Sequence, residues 1–238
     1  MKTLKFFAFS FAVFLLSSAL LTSCDVDAEP SDMVDQNRIF ADHELFYNSN
    51  QDITYARITF RFGNGTEGTP LELAGGSYAV FDGDTLQQTR NPVTNTTFYE
   101  KQISGPVLSG TFSWVDANGM QYDNTITYKT IDYPDSLVQV IDRTQSVEIK
   151  WKGDPLAANE QVNLVLDGIN GFNETITVQN NVGATSVILP LNQLTGIDPG
   201  QGQYIMDREF KPELVQATSA GGRMIARYRA KNQPVTVQ

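Results

Sequence analysis

The residues that could carry out chemistry are few, and the scarcest are one cysteine and one histidine. Cys24 holds the only thiol and His43 the only imidazole of the 238 residues. A serine triad would need His43 as its base, but Asp42 and Glu44 are only its neighbours in the chain, and no serine stands in a Gly-x-Ser-x-Gly turn. Zinc sites with several histidines are excluded for the same reason. We expect His43 to be a partly exposed structural residue.

Carboxylate pairs are the remaining candidates for catalysis, because glycoside hydrolysis needs two carboxyl groups roughly 5–10 Å apart in a cleft. Asp82 and Asp84 have the spacing that places both side chains on one face of a strand. Asp207 and Glu209 repeat that spacing. However, the short connections between the predicted strands leave no long inserted loop to build a cleft. The sequence has no cofactor or metal-binding motif either, and it predicts a protein that is not an enzyme.

The N-terminus has the three-part layout of a secretory signal peptide. Lys2 and Lys5 form a short positive region, and an uncharged apolar stretch follows from 6 to 21. These 16 residues are fewer than the roughly 20 that a transmembrane helix requires. We therefore expect residues 1–23 to be removed as a signal peptide.

The apolar stretch ends in Leu21-Thr22-Ser23-Cys24, which resembles the bacterial lipobox of a leucine, two small residues and the modified cysteine. The resemblance implies cleavage before Cys24, a diacylglycerol thioether on its sulfur and acylation of the new amine. Two or three acyl chains anchor a protein stably, whereas one binds marginally. With Cys24 taken up by lipid, the mature chain has no thiol, which excludes disulfides and cysteine nucleophiles.

The charge is strongly asymmetric. Residues 25–145 hold 7 basic and 18 acidic residues, whereas 146–238 hold 8 and 9. An acidic surface repels phosphate backbones, so we expect no nucleic-acid partner. The segment 24–33 behind the lipidation site is small, acidic and proline-bearing, which predicts a flexible tether.

This acidic segment also resembles the surface-export signal of Bacteroidota lipoproteins. The resemblance implies an outer-membrane location and leaves open whether the protein faces the periplasm or the cell surface. Retention at the inner membrane through Asp25 is one alternative, and a plain spacer without a sorting role is another.

Alternating apolar and polar residues dominate the mature chain. Val147 to Lys152 alternates strictly, and Phe112 to Tyr128 predicts a hairpin whose turn, Asp116 to Gly119, ends in Asn-Gly. A single helical turn is predicted at 191–194. Strand-like runs at a spacing of roughly 8–12 residues, separated by Gly, Asn, Asp and Pro, predict an all-β chain of β-sandwiches.

A break in this pattern at 131–136 and the charge asymmetry divide the mature chain into two predicted domains, 34–140 and 141–238. Their strand rhythm and turn chemistry resemble the immunoglobulin-like modules common in Bacteroidota lipoproteins. The resemblance implies two tandem immunoglobulin-like β-sandwich domains, and it is architectural because neither unit has the cysteine pair of antibody domains. One larger sandwich is the alternative.

Two pairs of adjacent aromatic residues are candidates for ligand contact. In Phe46-Tyr47 and Phe98-Tyr99 the neighbours face opposite sides of a strand, so one ring of each pair should be exposed. We expect Tyr47 and Tyr99 to be the exposed rings, suited to stacking on a sugar or to contact with a protein. The alternative is that each outward ring only covers a strand edge.

Two short motifs and one basic strand complete the candidates. Asp84-Thr85-Leu86 and Asp135-Ser136-Leu137 resemble the Asp-Ser/Thr-apolar sequon of O-glycosylation in Bacteroidota, which implies glycans on Thr85 and Ser136. The basic residues near the C-terminus predict a face that is solvated, or that meets an acidic partner or the acidic first unit. They are Arg223, Arg227, Arg229 and Lys231.

Together these patterns predict a non-enzymatic outer-membrane lipoprotein, tethered to the membrane through Cys24, that acts as an interaction or scaffold module for another envelope protein. The alternative is a surface glycan-binding lipoprotein accessory to a nutrient importer.

Overall fold

A computed structural model of the protein describes residues 28–63, 65–91, 96–168 and 174–238. Within these ranges the chain forms eighteen β-strands and one α-helical turn. The all-β prediction is confirmed, and so is the helical turn at Leu191–Leu194, named α1. None of the helices in the described ranges has the length and apolar character needed to cross a bilayer. Cys24 and the predicted signal peptide lie outside the described residues.

The strands range from two to eleven residues in length. In chain order they are β1 (Glu29–Pro30), β2 (Ile39–Asn48), β3 (Ile53–Phe62), β4 (Thr69–Glu72), β5 (Tyr78–Phe81), β6 (Asp84–Thr85), β7 (Gln87–Asn91), β8 (Thr96–Ser104), β9 (Ser109–Val115), β10 (Gln121–Thr127), β11 (Val140–Ile141), β12 (Val147–Lys150), β13 (Glu160–Gly168), β14 (Glu174–Gln179), β15 (Ser186–Leu189), β16 (Gly200–Phe210), β17 (Gly222–Arg229) and β18 (Gln233–Val237). Short 3-10 turns occupy Ser31–Met33, Gln36–Arg38 and Gly65–Glu67.

One large sheet includes strands from both predicted domains. Its main path is β1-β4-β3-β2-β17-β16-β13-β14, and β7, β8, β11 and β18 attach beside it. A sheet of β10-β9-β5-β6 packs against one part, and the pair β12-β15 packs against another. Because side chains alternate along a strand, one face of the large sheet points to these smaller sheets. The opposite face is called the outer face below.

Two hydrophobic cores lie between the sheets. In the first, the Phe60 ring of β3 packs 5.1 Å from the Trp114 ring of β9. The second contains Leu164, Leu166 and Tyr204, which are fully buried. Burying one such side chain contributes roughly 1.5–3 kcal/mol, so these cores supply the main stabilisation of a chain without disulfides.

The predicted hairpin is confirmed. β9 pairs antiparallel with β10, and the Trp114 and Tyr122 rings stack at 4.5 Å. The Asp116 carboxylate accepts hydrogen bonds from the backbone N–H groups of Asn118 and Met120, at 2.9 and 2.8 Å. Gly119 has φ 79°, a conformation that costs glycine little. Turn chemistry therefore accounts for this acidic loop.

The two cores exchange segments along the chain. β17 pairs in parallel with β2, and its Met224 and Ala226 are buried in the first core. Conversely, Ile131 and Tyr133, which fall within the predicted first domain, lie in the second core. Parallel pairing requires a long crossover between strands, and here the chain between β2 and β17 passes through strands of both cores.

The flexible tether predicted for 24–33 is corrected for its last five residues. Glu29–Pro30 pairs in parallel with β4, and Ser31 is fully buried. The Ser31 hydroxyl accepts a hydrogen bond from the Ala74 N–H at 2.9 Å, and the Gln36 side chain donates to the Ser31 carbonyl at 2.6 Å. Composition alone predicted disorder here, whereas these backbone partners hold the segment on the sheet.

Candidate functional site

The residues predicted from sequence lie at separate places. Thr85 is exposed in β6, at the end of the smaller sheet of the first core. Ser136 is exposed in the turn closed by the Leu137 N–H and the Pro134 carbonyl at 3.0 Å. Both hydroxyls are accessible, and their glycosylation stays a prediction. Cys24 lies outside the described residues.

The prediction that Tyr47 and Tyr99 present exposed rings is wrong, because each is 6% exposed. The Tyr47 hydroxyl donates to Asp52 Oδ1 at 2.9 Å, and the Tyr99 hydroxyl accepts from the Leu73 N–H at 2.6 Å. These bonds satisfy the phenol groups inside the fold.

Tyr47 instead belongs to an aromatic junction between the cores. Its ring lies 5.0 Å from that of Tyr228, which also packs 5.6 Å from the Tyr128 ring. Tyr228 contacts both hydrophobic cores. The buried tyrosines therefore hold the two cores together rather than a ligand.

His43 is also more buried than predicted, at 1% exposed. Its ring lies 5.5 Å from that of Phe112, and Nδ1 is 3.2 Å from the Arg223 carbonyl oxygen. Burial lowers the pKa of His43 to about 4, so the imidazole is neutral at pH 7. A ring enclosed in this way is a core residue rather than a base facing a substrate.

The candidate site is an Arg-aromatic cluster on the outer face. Its members alternate along neighbouring strands with residues buried between the sheets, so their side chains share the opposite side. The cluster consists of Asp42, Glu44, Phe46, Tyr55, Arg57, Phe98, Glu100, Asp207, Arg223, Arg227 and Arg229.

Arg57 on β3 forms one half of the cluster. Its Nε and Nη2 atoms donate to Glu100 Oε2 at 2.9 and 2.6 Å, and Nη1 lies 3.5 Å from Glu44 Oε2. The guanidinium also stands 4.3 Å from the centre of the Phe98 ring. Two carboxylates and one ring therefore fix the orientation of this arginine.

Phe46 on β2 forms the other half. Arg227 lies over its ring at 4.4 Å and Arg229 at 5.4 Å, while the Tyr55 ring stacks beside it at 5.9 Å. Arg227 also pairs with Glu44. Glu44 thus joins the two halves, because it contacts an arginine in each.

The basic strand predicted near the C-terminus supplies three of these arginines. Arg223 donates twice to Asp42, and Arg229 donates twice to Asp207, with both bonds at 2.7 Å. The hydrogen bonds to Asp42 and to Asp207 raise the pKa of Arg223 and of Arg229, respectively. Of the alternatives left by the sequence, β17 meets the acidic first unit.

Sequence reasoning missed Phe46, Phe98 and Arg57 as members of a site. The sequence does contain a signal for Phe46. Along β2, Phe46 falls on the same side as the charged Asp42 and Glu44, whereas Tyr47 falls on the same side as the apolar Ala41 and Leu45. The residues that alternate with the buried ones on β2 are Phe40, Asp42, Glu44, Phe46 and Asn48. That parity identifies the outward ring.

The cluster has the chemistry of a contact surface. Arginine and aromatic residues are enriched at the centres of protein interfaces and among the residues that dominate binding energy. No group of three or more His, Cys, Asp or Glu side chains in the described ranges is arranged to hold a metal ion. The guanidinium groups of its arginines are planar, so they can stack on a partner's side chains and donate hydrogen bonds to it.

Comparisons with known proteins add little to this description. No family model and no curated protein matches the chain. A solved structure of a 1.5-MDa bacterial ice-binding adhesin, which concerns host cell surface retention, is 14% identical with a TM-score of 0.22, covering 84% of this chain and 64% of that one. The FN1–FN3 domains of chicken CNTN1 are 11% identical with a TM-score of 0.22, covering 79% and 67%.

The chain therefore spans about 64% of the length of the adhesin structure. TM-scores of 0.22 carry no argument about topology. The β-sandwich layering accordingly rests on the strands and the two cores of this chain, and the immunoglobulin-like resemblance stays a prediction.

Proposed function

We propose that this chain is a non-enzymatic lipoprotein of the cell envelope, anchored in the outer membrane through lipid on Cys24, and that its Arg-aromatic cluster binds another envelope protein. The observation that carries the proposal is the packing of Arg227 and Arg229 over Phe46 on the outer face of the large sheet. The anchor rests on the lipobox, and the interaction surface rests on this geometry.

Preorganisation of the arginines supports binding. Ordering a flexible side chain at an interface costs roughly 0.5–1.5 kcal/mol. Arg57 donates twice to one oxygen of Glu100 and Arg229 donates to both oxygens of Asp207, so a partner protein would find them ordered before contact. Each guanidinium keeps a planar face and further N–H groups for the partner.

Local charge balance also supports a protein partner. Four arginines and four carboxylates of the cluster pair with one another, whereas the whole chain carries −10. Because the cluster has little net charge, an acidic or basic partner would meet little long-range repulsion there. Shape and stacking would then decide which protein binds.

Site-specific photocrosslinking tests this proposal in native cells. A photoreactive phenylalanine analogue replaces Tyr55 at the edge of the cluster, and in the control it replaces Tyr78, which is 47% exposed on the smaller sheet of the first core. We expect a discrete adduct with an envelope protein from position 55 and none from position 78. Adding Phe46→Ser should remove the adduct while the protein remains folded.

Two results would contradict the proposal. One is equal crosslinking from positions 55 and 78, which would indicate random encounters. The other is an adduct that persists at full yield in the Phe46→Ser variant, which would place the contact outside the cluster. The glycan-binding alternative loses the exposed rings assigned to it, because Tyr47 and Tyr99 are buried.

A further inference from the structure

A polar depression lies on the outer face, outside the Arg-aromatic cluster. Its volume is about 470 Å³, within the range of roughly 300–1,000 Å³ for small-molecule sites. Asp167, Gln203 and Pro234 form a row across its floor, because Asp167 pairs with Gln203 and Gln203 with Pro234 on adjacent strands. Gln203 shares the side of β16 on which Asp207 lies. Asn232 and Gln233 complete one wall.

Backbone forms part of the depression. Gly168 and Gly202 line it and face each other across β13 and β16. A Cβ atom at Gly202 would approach the Asp167 carbonyl oxygen to 2.4 Å, so the strands can come this close only with glycine there. The two glycines leave that part of the wall without side chains.

The polar groups of the depression are held in place by one another. Gln203 Nε2 donates to Asp167 Oδ2 at 2.9 Å, and Asn232 Nδ2 donates to Gln203 Oε1 at 3.1 Å. Asn50, in the turn between β2 and β3, donates to Asn232 Oδ1 at 3.0 Å. The amide nitrogens of Gln203 and Asn232 each carry two hydrogens, and these bonds use one hydrogen of each. The set is therefore ordered and still has donors to offer.

An apolar row lies beside the polar one. Val165 pairs with Ile176 on one side and with Ile205 on the other, two residues along the strands from Asp167 and Gln203. At the strand rise of about 3.3 Å per residue, the rows are roughly 7 Å apart on the same face. Ile176 is 53% exposed. A ligand lying across both rows would meet hydrogen-bonding groups and an apolar surface together.

From this arrangement we infer that the depression binds a neutral oligosaccharide. Sugar hydroxyl groups both donate and accept, as the amides do, and the C–H face of a sugar ring would cover the apolar row. The Asp167 carboxylate disfavours an anionic ligand, and no cluster in the described ranges offers three ligands of the His, Cys, Asp or Glu type to a metal. This site goes beyond the proposed protein interaction and uses other residues.

Calorimetric titration of the full mature lipoprotein in lipid nanodiscs tests the inference. The probes are four neutral hexasaccharides, made of α-linked glucose, β-linked glucose, mannose and N-acetylglucosamine, with dextran sulfate as the anionic comparison. We expect at least one neutral probe to bind and dextran sulfate not to bind. Gln203→Leu and Asn232→Leu should each weaken that binding at least tenfold, while Gln121→Leu, at an exposed position of the hairpin, should leave it unchanged.

Hydrogen exchange of the unsubstituted protein supplies a measurement that does not depend on a variant folding. The bound hexasaccharide should slow amide exchange in 201–203 and 231–233 but not in β10. The inference is overturned if no neutral probe binds, if dextran sulfate binds more tightly, or if a folded Gln203→Leu variant binds as well as the wild type. Crosslinking at position 55 is a separate readout, so failure here leaves the proposed protein contact intact.

Discussion

Arg223 and Asp42 lie side by side on the outer face although 181 residues separate them in the chain. Arg223 Nε donates to Asp42 Oδ1 at 2.9 Å and Nη2 donates to Oδ2 at 2.5 Å, within the parallel pairing of β17 with β2. A surface pair of this kind contributes only about 0–1 kcal/mol. The apolar residues on the other side of β17 contribute more, which makes the C-terminal part of the chain a structural component of the first core.

Met224 tests that contribution. It is 2% exposed in the first core, and Met224→Ala should lower the free energy of unfolding by about 2–5 kcal/mol through lost burial and a cavity. Hydrogen exchange should become faster in β2 and β3. Val215→Ala, at a position 82% exposed, is the control and should change stability by less than about 0.5 kcal/mol. Unchanged exchange in β2 and β3 would argue against this role of β17.

His43 should make the stability depend on pH between about 6.5 and 4. Burial lowers its folded pKa to about 4 from the ordinary 6.5, so below pH 6.5 the unfolded chain takes up a proton that the folded chain does not. The stabilisation is complete above pH 6.5 and falls by about 3 kcal/mol as the pH drops to about 4, since one pKa unit corresponds to about 1.4 kcal/mol. Below that pH the loss is complete.

Urea unfolding of the wild type and of His43→Leu at several pH values measures this dependence. Carboxylates add their own pH dependence to both proteins, so the difference between the two curves isolates the imidazole. We expect the difference to change by about 3 kcal/mol across the interval. A difference that stays constant with pH would show that His43 is not the group responsible.

The Arg208–Glu160 pair should be costly to break. The two side chains are 1% and 3% exposed, and Arg208 Nη2 donates to Glu160 Oε2 at 2.5 Å. Arg208 also donates to the Asp154 carbonyl at 2.8 Å, which fixes the loop before β13. Glu160→Gln leaves a buried guanidinium without its counter-charge, and we expect a loss of about 3–5 kcal/mol.

A double-mutant cycle measures this coupling. Glu160→Leu combined with Arg208→Met should be less destabilising than Glu160→Leu alone, because it removes the unpaired charge as well. The exposed pair of Lys152 with Asp135 is the matched control, and Lys152→Met should leave the stability almost unchanged, because solvent screens this pair. Additive effects of the two buried substitutions would contradict the coupling.

Cys24 should carry the lipid. Native cells grown with radiolabelled palmitate should label the wild type and not Cys24→Ser, which should also leave the membrane fraction. Ser23→Gly is the control, since it keeps a small residue at the position before the cysteine and should retain the label. Label remaining on Cys24→Ser would place the acyl chains elsewhere.

Thr85 and Ser136 should each carry an O-linked glycan. Intact-mass measurement of the native protein should show hexose increments, and Thr85→Ala and Ser136→Ala should each remove one glycan. Thr144→Ala, at an exposed threonine outside the Asp-Ser/Thr-apolar pattern, should leave the mass increments unchanged. A native mass equal to that of the unmodified mature lipoprotein would exclude both sites.

Much of the fold could be predicted from local patterns. The hairpin from Phe112 to Tyr128 follows from alternation and from an Asn-Gly turn, because both act over neighbouring residues. The helical turn at Leu191–Leu194 is also local, because its backbone hydrogen bonds join residues four apart in the chain. The order of Glu29–Pro30 could not be predicted, since its partner on β4 is about forty residues away in the chain.

The candidate site was less accessible to prediction. Alternation required one ring of Phe46-Tyr47 to face outward, and the parity that Phe46 shares with Asp42 and Glu44 identifies it as that ring. Tyr47 is buried because it shares the parity of Ala41 and Leu45, and the exposed Asp52 accepts its hydroxyl hydrogen. The neighbour of Arg57 on β8, Glu100, is about forty residues further along the chain, and the pairing of β3 with β8 is not encoded in any local pattern.

By itself the sequence determined the β-strand content, the main hairpin and the absence of thiols other than Cys24, because these follow from residue type and from a period of two along the chain. Only the tertiary structure decided that β17 completes the first core, that Arg57 pairs with Glu100 and that Asp42 and Arg223 meet. These contacts join residues far apart in the chain, and their selection depends on how whole sheets bury apolar area together rather than on any local preference.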